Sequence, residues 1–226
     1  TMARHIALFG GMFDPVHCGH VAVINALSGR EDIDDLWVIP AAMSPHKETS
    51  FLSNEQRLSL LETALEKRSK ITVCQLELER ATPSYTIDTV KECCLMYPND
   101  RFSLVIGSDQ FFKFHTWKDV DILLEKVRIL VFNRESYIQK DDYDTYINTV
   151  LPQAKGRIDF LEFPIVSVSS SLVRGCLEST TSIRGLVPRT VYRMLTAYGH
   201  IERPNHVIGV SGRAGSGKSM AQSILT

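Results

Sequence analysis

The chain has 226 residues, with 25 basic and 26 acidic side chains and a formal net charge of -1. This balance argues against a nucleic-acid partner, because proteins that bind nucleic acids carry a basic face. No apolar run reaches the roughly 18 residues that a membrane span requires, and no secretory signal is visible at the N-terminus. The five cysteines form no C-x-x-C pair, which argues against a disulfide framework or a zinc site and favours a cytoplasmic protein.

Six short apolar runs predict strands, and the longer stretches between them predict helices. The predicted strands lie at residues 5–9, 36–39, 71–74, 102–106, 128–132 and 158–163. The predicted helices lie at 17–28, 53–69, 86–97, 171–178 and 188–198, with short helices between the later strands. This alternation predicts an α/β fold, a Rossmann-like, doubly wound and mostly parallel sheet with helices on both faces. Ligands of such sheets bind beyond the carboxyl ends of the strands, near a switch point.

The polar, tyrosine-rich residues 135–153 interrupt the alternation of strands and helices. We predict that they form a variable helical insertion.

The first predicted strand leads directly into Gly10 and Gly11, and the next helix begins near His17. Glycines let the backbone approach a ligand closely, and a helix N-terminus offers free N–H groups and a partial positive charge. His17 and His20 are three residues apart, so their imidazoles share one face of the first helical turn, which Gly19 keeps open. Because imidazoles can donate hydrogen bonds to phosphoryl oxygens, this loop is predicted to bind phosphate groups.

A second candidate anion site follows the last predicted strand, in the segment from Val168 to Arg174. Hydroxyl groups such as those of Ser170 and Ser171 serve at helix starts as caps and as ligands of anions. Arg174 lies one turn further along and can reach a phosphate as a forked donor. The segment therefore predicts a second set of phosphate contacts.

The stretch from Gly10 to His20 resembles the H-x-G-H signature of the nucleotidyltransferase superfamily. In the form Gly-Gly-x-Phe-Asp-Pro-x-His-x-Gly-His it is similar to the bacterial nicotinate-mononucleotide adenylyltransferases. The segment from Val168 to Arg174 resembles the second signature of that family, Ile-Ser-Ser-Thr-x-Ile-Arg, and the resemblance covers roughly residues 4–200. Met12 departs from the family pattern, which usually has Thr or Ser there, so a hydroxyl contact to phosphate is lost while the backbone N–H group remains.

The resemblance implies an ATP site in which His17, His20 and Arg174 are catalytic. The residues expected to bind ATP are Gly10, Gly11, Met12, Phe13, His17, Gly19, His20, Gly107, Asp109, Ser170, Ser171 and Arg174. Mg²⁺ is expected to accompany ATP, and no metal ligand is predicted in the protein itself.

The acceptor nucleotide is expected to bind to segments that follow the second, third and fourth predicted strands. An indole is a good platform for an electron-poor pyridine ring, which makes Trp117 the expected stacking partner. Thr86 is expected to cap the next helix and to offer N–H groups to a carboxylate. The residues expected to bind the acceptor are His46, Lys47, Ser84, Tyr85, Thr86, Asp109 and Trp117.

Residues 212–219 match G-x-x-x-x-G-K-[ST], the phosphate loop of P-loop proteins. The match assigns a possible second phosphate site to Gly212, Gly217, Lys218 and Ser219. We expect residues 1–202 to form the nucleotidyltransferase domain and residues 203–226 to form a linker and the truncated start of a P-loop domain. The natural protein would then be longer.

Together these features predict an enzyme that transfers AMP from ATP to nicotinate mononucleotide, giving nicotinate adenine dinucleotide and pyrophosphate. The alternatives are the same chemistry on nicotinamide mononucleotide or another phosphorylated acceptor, a nucleotide-sensing domain of a longer P-loop kinase, and a degenerate binding module. The sequence does not choose between nicotinate and nicotinamide, and it leaves the oligomeric state open, a homo-oligomer included.

Overall fold

The computed structural model describes residues 2–42, 50–81, 83–134 and 136–201. They contain a six-stranded sheet in the order β3-β2-β1-β4-β5-β6, in which every neighbouring pair of strands is parallel. The strands are β1 (His5–Gly11), β2 (Asp35–Pro40), β3 (Ile71–Val73), β4 (Arg101–Gly107), β5 (Arg128–Phe132) and β6 (Ile158–Leu161). Strands β2 and β3 follow on one side of β1, and β4, β5 and β6 then follow on its other side. The predicted doubly wound fold is confirmed, with its switch point between β1 and β4.

Helices cover both faces of this sheet. They are α1 (Cys18–Ser28), α2 (Asn54–Leu65), α3 (Leu76–Glu79), α4 (Thr86–Met96), α5 (Ser108–Phe111), α6 (Val120–Lys126), α7 (Lys140–Thr149), α8 (Ser170–Glu178) and α9 (Arg189–Ala197). Short 3₁₀ turns lie at Phe114–Thr116 and Pro152–Ala154. Helices α1, α2, α8 and α9 pack on one face, and helices α4 to α7 pack on the other.

The alternating side chains of each strand divide the core into two apolar layers. In β1, Ala7 and Phe9 pack with the first group of helices, whereas Ile6 and Leu8 pack with the second. All four are buried. A central strand that is buried on both faces needs a continuous apolar sequence, which explains why β1 shows no polar alternation.

Two predicted elements end more than one residue earlier in the structure than in the sequence analysis. Helix α2 ends at Leu65 instead of about residue 69, because the polar residues that follow have no core to pack against, and Lys67 adopts a left-handed φ of 62°. Strand β6 ends at Leu161, where its pairing with β5 ends at Phe132.

The segment predicted as a variable insertion contains α7 and contributes to the core. Tyr146 and Ile147 of α7 are buried in the second apolar layer. The helix therefore belongs to the packed fold, which the polar composition of residues 135–153 did not indicate.

Within the described ranges, no helix combines the length and the apolar character needed to cross a membrane.

Candidate active site

A cleft of about 570 Å³ opens at the carboxyl ends of β1 and β4. Gly10 and Gly11 line it at the end of β1, and Gly107 lines it at the end of β4. This position is the switch point of the sheet, where ligands of doubly wound folds bind. The cleft is therefore the candidate active site.

His17 and His20 cap the start of α1 reciprocally. His17 is the N-cap residue, and its Nδ1 accepts the backbone N–H of His20 at 3.3 Å. In return, Nδ1 of His20 accepts the backbone N–H of His17 at 3.2 Å. The two rings stack with their centroids 3.6 Å apart. A neutral imidazole that accepts at Nδ1 carries its proton on Nε2, so both rings are N–H donors at Nε2.

Burial keeps both imidazoles neutral. The side chain of His17 is only 3 % exposed. Desolvation by burial, helped by the nearby charge of Arg134, lowers the pKa of His17 to about 4. Burial also lowers the pKa of His20 well below its usual value, with further contributions from His17 and Arg134. Nε2 of His17 is buried and has no partner among the described residues, so a donor is available at the wall of the cleft.

The loop of residues 10–17, here called the first loop, is held by aromatic packing. Phe13 has a left-handed φ of 48°, a conformation that non-glycine residues rarely adopt. Its buried ring packs edge-on against Phe9, at 5.7 Å, and against His20, at 4.7 Å. A side chain on Gly19 would lie 2.9 Å from the ring of His17, so only glycine fits beneath the histidine pair.

The segment of residues 168–174, here called the serine segment, lines the cleft together with the histidines. Ser169, not Ser170 or Ser171, is the N-cap of α8. The hydroxyl of Ser170 donates to the carbonyl of Pro15 at 3.0 Å, and Nη1 of Arg174 donates to the carbonyl of Asp14 at 2.7 Å. These bonds join α8 to the first loop across more than 150 residues of sequence.

The serine segment still presents donors to the cleft. The N–H groups of Ser170 and Ser171 lie in the first turn of α8, where no intrahelical acceptor exists. Both residues line the cleft together with Arg174, whose Nη2 donates to the hydroxyl of Ser171 at 3.1 Å. The segment therefore combines a helix N-terminus with a cation, which is an arrangement suited to an anion.

A second group of cleft residues lies on α3, α4 and the turn before α6. Trp117 is half-buried and packs at a tilt against Phe114, with the ring centroids 5.0 Å apart. Thr86 lines the cleft as the first residue of α4, but the N-cap is Tyr85 and no side chain caps this helix. The expected capping role of Thr86 is thus wrong, since the chain enters the helix one residue earlier. In its first turn the N–H of Asp88 donates to the carbonyl of Tyr85 at 3.0 Å, while those of Thr86 and Ile87 have no intrahelical acceptor.

A polar network supports this second group. Nη1 of Arg80 donates to the hydroxyls of Ser84 and Thr89, each at 2.8 Å. Nη2 of Arg80 pairs with the carboxylate of Glu92. Thr89 in turn donates to Glu77 at 2.7 Å. Burial raises the pKa of Glu77, which lines the cleft with Ser84 and Thr89. The network fixes the turn that leads into α4.

Most of the residues singled out from the sequence line this one cleft. They are Gly10, Gly11, Met12, Phe13, His17, Gly19, His20, Ser84, Thr86, Gly107, Trp117, Ser170, Ser171 and Arg174. Two do not belong to its lining: Tyr85 is exposed with Lys118 over its ring, and Asp109 pairs with Arg134 at 2.9 Å. His46, Lys47 and the P-loop match at 212–219 lie outside the described residues.

The sequence analysis missed cleft residues that follow β5, above all Asn133 and Arg134. Arg134 is the cation whose field reaches both histidines, and it is held by the carboxylate of Asp109. The signal was available, because both residues come directly after a buried parallel strand, the position at which this fold places its ligand contacts.

Within the part of the chain that the structure describes, no cluster of three or more His, Cys, Asp or Glu side chains is arranged to hold a metal ion.

The sheet order and the cleft at its switch point define a doubly wound α/β protein with a candidate ligand site. Comparison with protein families gives a match to the cytidylyltransferase-like family over residues 8–176. Two similar curated proteins, from Shouchella clausii and Halalkalibacterium halodurans, are each 34 % identical to this chain. Both carry the name "Probable nicotinate-nucleotide adenylyltransferase". The alignments cover 85 % of this chain and 94 % and 88 % of the two relatives. The chain belongs to the cytidylyltransferase-like family and, within it, to the nicotinate-nucleotide adenylyltransferases.

The solved structures agree on the fold. The nicotinic acid mononucleotide adenylyltransferase of Plasmodium falciparum, solved in complex with NaAD, superposes with a TM-score of 0.72 at 18 % sequence identity. The match covers 87 % of this chain and 96 % of that one.

Proposed function

We propose that the cleft transfers AMP from ATP to nicotinate mononucleotide, giving nicotinate adenine dinucleotide and pyrophosphate. The names of the relatives support this activity. The observation that carries the proposal is that one cleft contains both a group of hydrogen-bond donors suited to phosphate and an aromatic group. The donors are the neutral Nε2–H groups of His17 and His20 together with the start of α8, and the aromatic group contains Trp117 and the start of α4.

In this reaction the phosphate of the acceptor attacks the α-phosphorus of ATP in line, and pyrophosphate leaves. The protein supplies no nucleophile, so it must accelerate the reaction by holding the two substrates together and stabilising the charge that develops. His17 and His20 would donate to phosphoryl oxygens from fixed positions, since their tautomers are set by the reciprocal caps. Arg174 and the N–H groups of Ser170 and Ser171 would hold the departing phosphates.

Neutral histidines suit this role better than charged ones would. A neutral N–H donor strengthens its hydrogen bond as the phosphate gains charge, yet it has no strong attraction that would bind the ground state equally well. Burial lowers the pKa of His17 to about 4, so the neutral form prevails at physiological pH in the chain without ATP.

Mg²⁺ fits the cleft as a companion of ATP. The donor group consists of N–H groups and an arginine, which bind phosphate, and none of its described members carries a carboxylate. Mg²⁺ prefers phosphate oxygens and water, so the substrate would hold the ion. Bound in this way, it would neutralise charge on the leaving pyrophosphate.

The acceptor would bind at the second group of cleft residues. Trp117 would stack on the pyridine ring, and the first-turn N–H groups of α4, at Thr86 and Ile87, would donate to its carboxylate. The contacts expected from His46 and Lys47 remain predictions. Asp109 would act through Arg134, to which its carboxylate is bonded.

A pyrophosphate-release assay tests the proposal directly. The chain is mixed with ATP, Mg²⁺ and either nicotinate mononucleotide, nicotinamide mononucleotide or phosphopantetheine, and the dinucleotide product is identified by mass. We expect turnover that depends on the mononucleotide and is fastest with nicotinate mononucleotide. Binding of ATP with no release of pyrophosphate for any acceptor would instead favour a nucleotide sensor.

Nicotinamide mononucleotide is the second candidate acceptor, because Glu77 lines the cleft. The carboxylate of Glu77 could accept an amide N–H but would repel a substrate carboxylate. Arg80, which is linked to Glu77 through Thr89, offsets that repulsion. The ratio of kcat/KM for the two mononucleotides decides between them, and a ratio in favour of nicotinamide would reverse the assignment.

A further inference from the structure

Arg57 is a fully buried cation beneath the first loop. It lies in the first turns of α2, and its relative exposure is 0 %. Its guanidinium donates to three neutral acceptors: Nη1 to the carbonyl of Met12 at 2.5 Å, and Nη2 to the carbonyl of Ala41 at 2.8 Å and to Oδ1 of Asn54 at 2.6 Å. Neither its sequence position nor the reaction described above assigns it a function.

The surroundings of Arg57 are unusual for a buried charge. Buried cations are normally paired with a carboxylate, because removing an ion from water costs more than neutral hydrogen bonds return. The nearby carboxylate of Asp14 attracts Arg57 but is bonded to the N–H groups of Phe51 and Leu52, at 3.1 and 3.0 Å. Burial accordingly lowers the pKa of Arg57. The guanidinium of Arg57 is nevertheless held in one geometry by its three hydrogen bonds.

The hydrogen bonds of Arg57 join two parts of the cleft wall. Met12 belongs to the first loop, and Ala41 directly follows β2. Both residues line the cleft. Asp14, also in the first loop, accepts the N–H groups of Phe51 and Leu52, which lie shortly before α2. Arg57 and Asp14 together link the first loop to the end of β2 and to the start of α2.

We propose that Arg57 is a positioning residue for adenylyl transfer, which holds the first loop in register with the end of β2 in the cleft wall by donating hydrogen bonds to the carbonyls of Met12 and Ala41. This inference rests on the proposed function. It also accounts for Met12, because the contact to Arg57 is made by the backbone carbonyl, whereas the residue is 40 % exposed. That contact does not depend on which side chain is present at position 12.

The test compares Arg57→Lys and Arg57→Gln with wild type. Lysine keeps the charge but cannot reach two carbonyls with a rigid fork, whereas glutamine also removes the charge. Because a misalignment of about 1 Å can cost on the order of 100-fold in rate, we expect kcat to fall about 10- to 100-fold in both variants. The KM for ATP should change less than threefold in Arg57→Lys. Rates are measured at a temperature at which circular dichroism shows each variant to be folded.

Leu65→Ala is the matched control, because Leu65 lies on the same helix, is buried in the core and does not line the cleft. It should lower the melting temperature to a similar extent yet leave kcat near that of wild type. Asn54→Ala, which removes one acceptor and leaves Arg57 in place, should lower kcat only a few-fold.

Two results would overturn the inference: a kcat for Arg57→Lys within threefold of wild type, or an equal loss in Leu65→Ala at equal stability. If the wild-type chain itself does not turn over with any mononucleotide, the proposed function fails instead, and the two failures are distinguishable. Should Arg57→Gln not fold, Arg57→Lys and Asn54→Ala still decide the matter.

Discussion

The histidine pair shows how two side chains can serve as cap and as ligand at once. Each imidazole uses Nδ1 to accept a backbone N–H group of the other residue. That bond determines the tautomer, so Nε2–H of both rings is directed by the backbone rather than by a third residue. A structural role and a chemical role are therefore separable by substitution.

The first prediction separates them at His20. His20→Asn keeps an acceptor near the position of Nδ1 but loses the Nε2 donor, while His20→Gln keeps a donor near Nε2 but loses the cap. We expect His20→Ala and His20→Asn to cost about 2–4 kcal/mol of transition-state stabilisation, the range for one lost oxyanion donor. His20→Gln should recover part of it. Steady-state kcat/KM in the pyrophosphate assay measures this, and near-normal turnover by His20→Ala would rule out the role.

The second prediction concerns pH. The pKa of His17 is lowered to about 4 in the folded chain, whereas the unfolded value is about 6.5. The unfolded chain therefore takes up a proton below pH 6.5 that the folded chain refuses until about pH 4. The free energy of unfolding should therefore decrease as the pH is lowered through this window. His17 should account for a decrease of about 2 kcal/mol between pH 7 and pH 5.

Urea titrations at pH 7 and pH 5 measure that difference. His17→Asn is the control, because the amide can still accept the N–H of His20 but does not titrate. The variant should lose the contribution of His17, about 2 kcal/mol, and keep that of His20, whose pKa burial also lowers. An unchanged pH dependence in His17→Asn would show that His17 is not the group responsible.

At the scale of elements, α7 anchors the turn that carries Trp117. The hydroxyl of Tyr146 accepts the backbone N–H of His115 at 3.1 Å and lies 3.0 Å from its Nδ1. Its ring packs against Phe111 and Phe112. Because His115 is two residues before Trp117, this bond restrains the proposed platform for the pyridine ring.

The third prediction is that Tyr146→Phe raises the KM for the mononucleotide several-fold and leaves the KM for ATP unchanged. Losing the hydroxyl removes one restraint on the 114–116 turn at a stability cost of about 1 kcal/mol. Tyr143→Phe on the same helix is the control, since Tyr143 stacks on Phe160 at 3.8 Å and its hydroxyl bonds to no described residue. Equal effects of the two variants on the KM for the mononucleotide would contradict the proposed restraint.

At the scale of the whole molecule, the cleft is assembled from both halves of the chain. The first loop follows β1, whereas the serine segment follows β6, and the bonds from Ser170 and Arg174 join them. Helix α9 then packs against α2 in the first apolar layer, with Val191 and Leu195 buried. The domain is therefore expected to require everything as far as α9.

The fourth prediction tests the expected domain boundary. A chain ending at residue 202 keeps Ile201, which packs against the first apolar layer. It should retain the melting temperature and the kcat of the full chain within about twofold. A chain ending at residue 187 loses α9 and exposes the layer beneath it, so it should fail to give a cooperative thermal transition. Loss of activity on removing residues 203–226 would show that the boundary is wrong.

Periodicity predicted the six strands well, because buried parallel strands are largely apolar, and three of the six end at glycine or proline. The same local reasoning misjudged α7. Its few apolar residues are spread among polar ones, and burial of Tyr146 depends on partners that lie more than 30 residues earlier in the chain. Glu77 was missed for a related reason, since a single charged residue in a short helix has no pattern of its own.

By itself, the sequence determined the α/β fold, the first loop, the serine segment and the order in which they occur, because each depends on residues close together in the chain. Only the tertiary structure decided how these parts are used. It made the histidines neutral donors through burial, assigned the hydroxyl of Ser170 to Pro15, and placed the cation of Arg57 beneath Met12. Desolvation and long-range hydrogen bonds depend on which distant residues meet, and local sequence patterns contain no record of that.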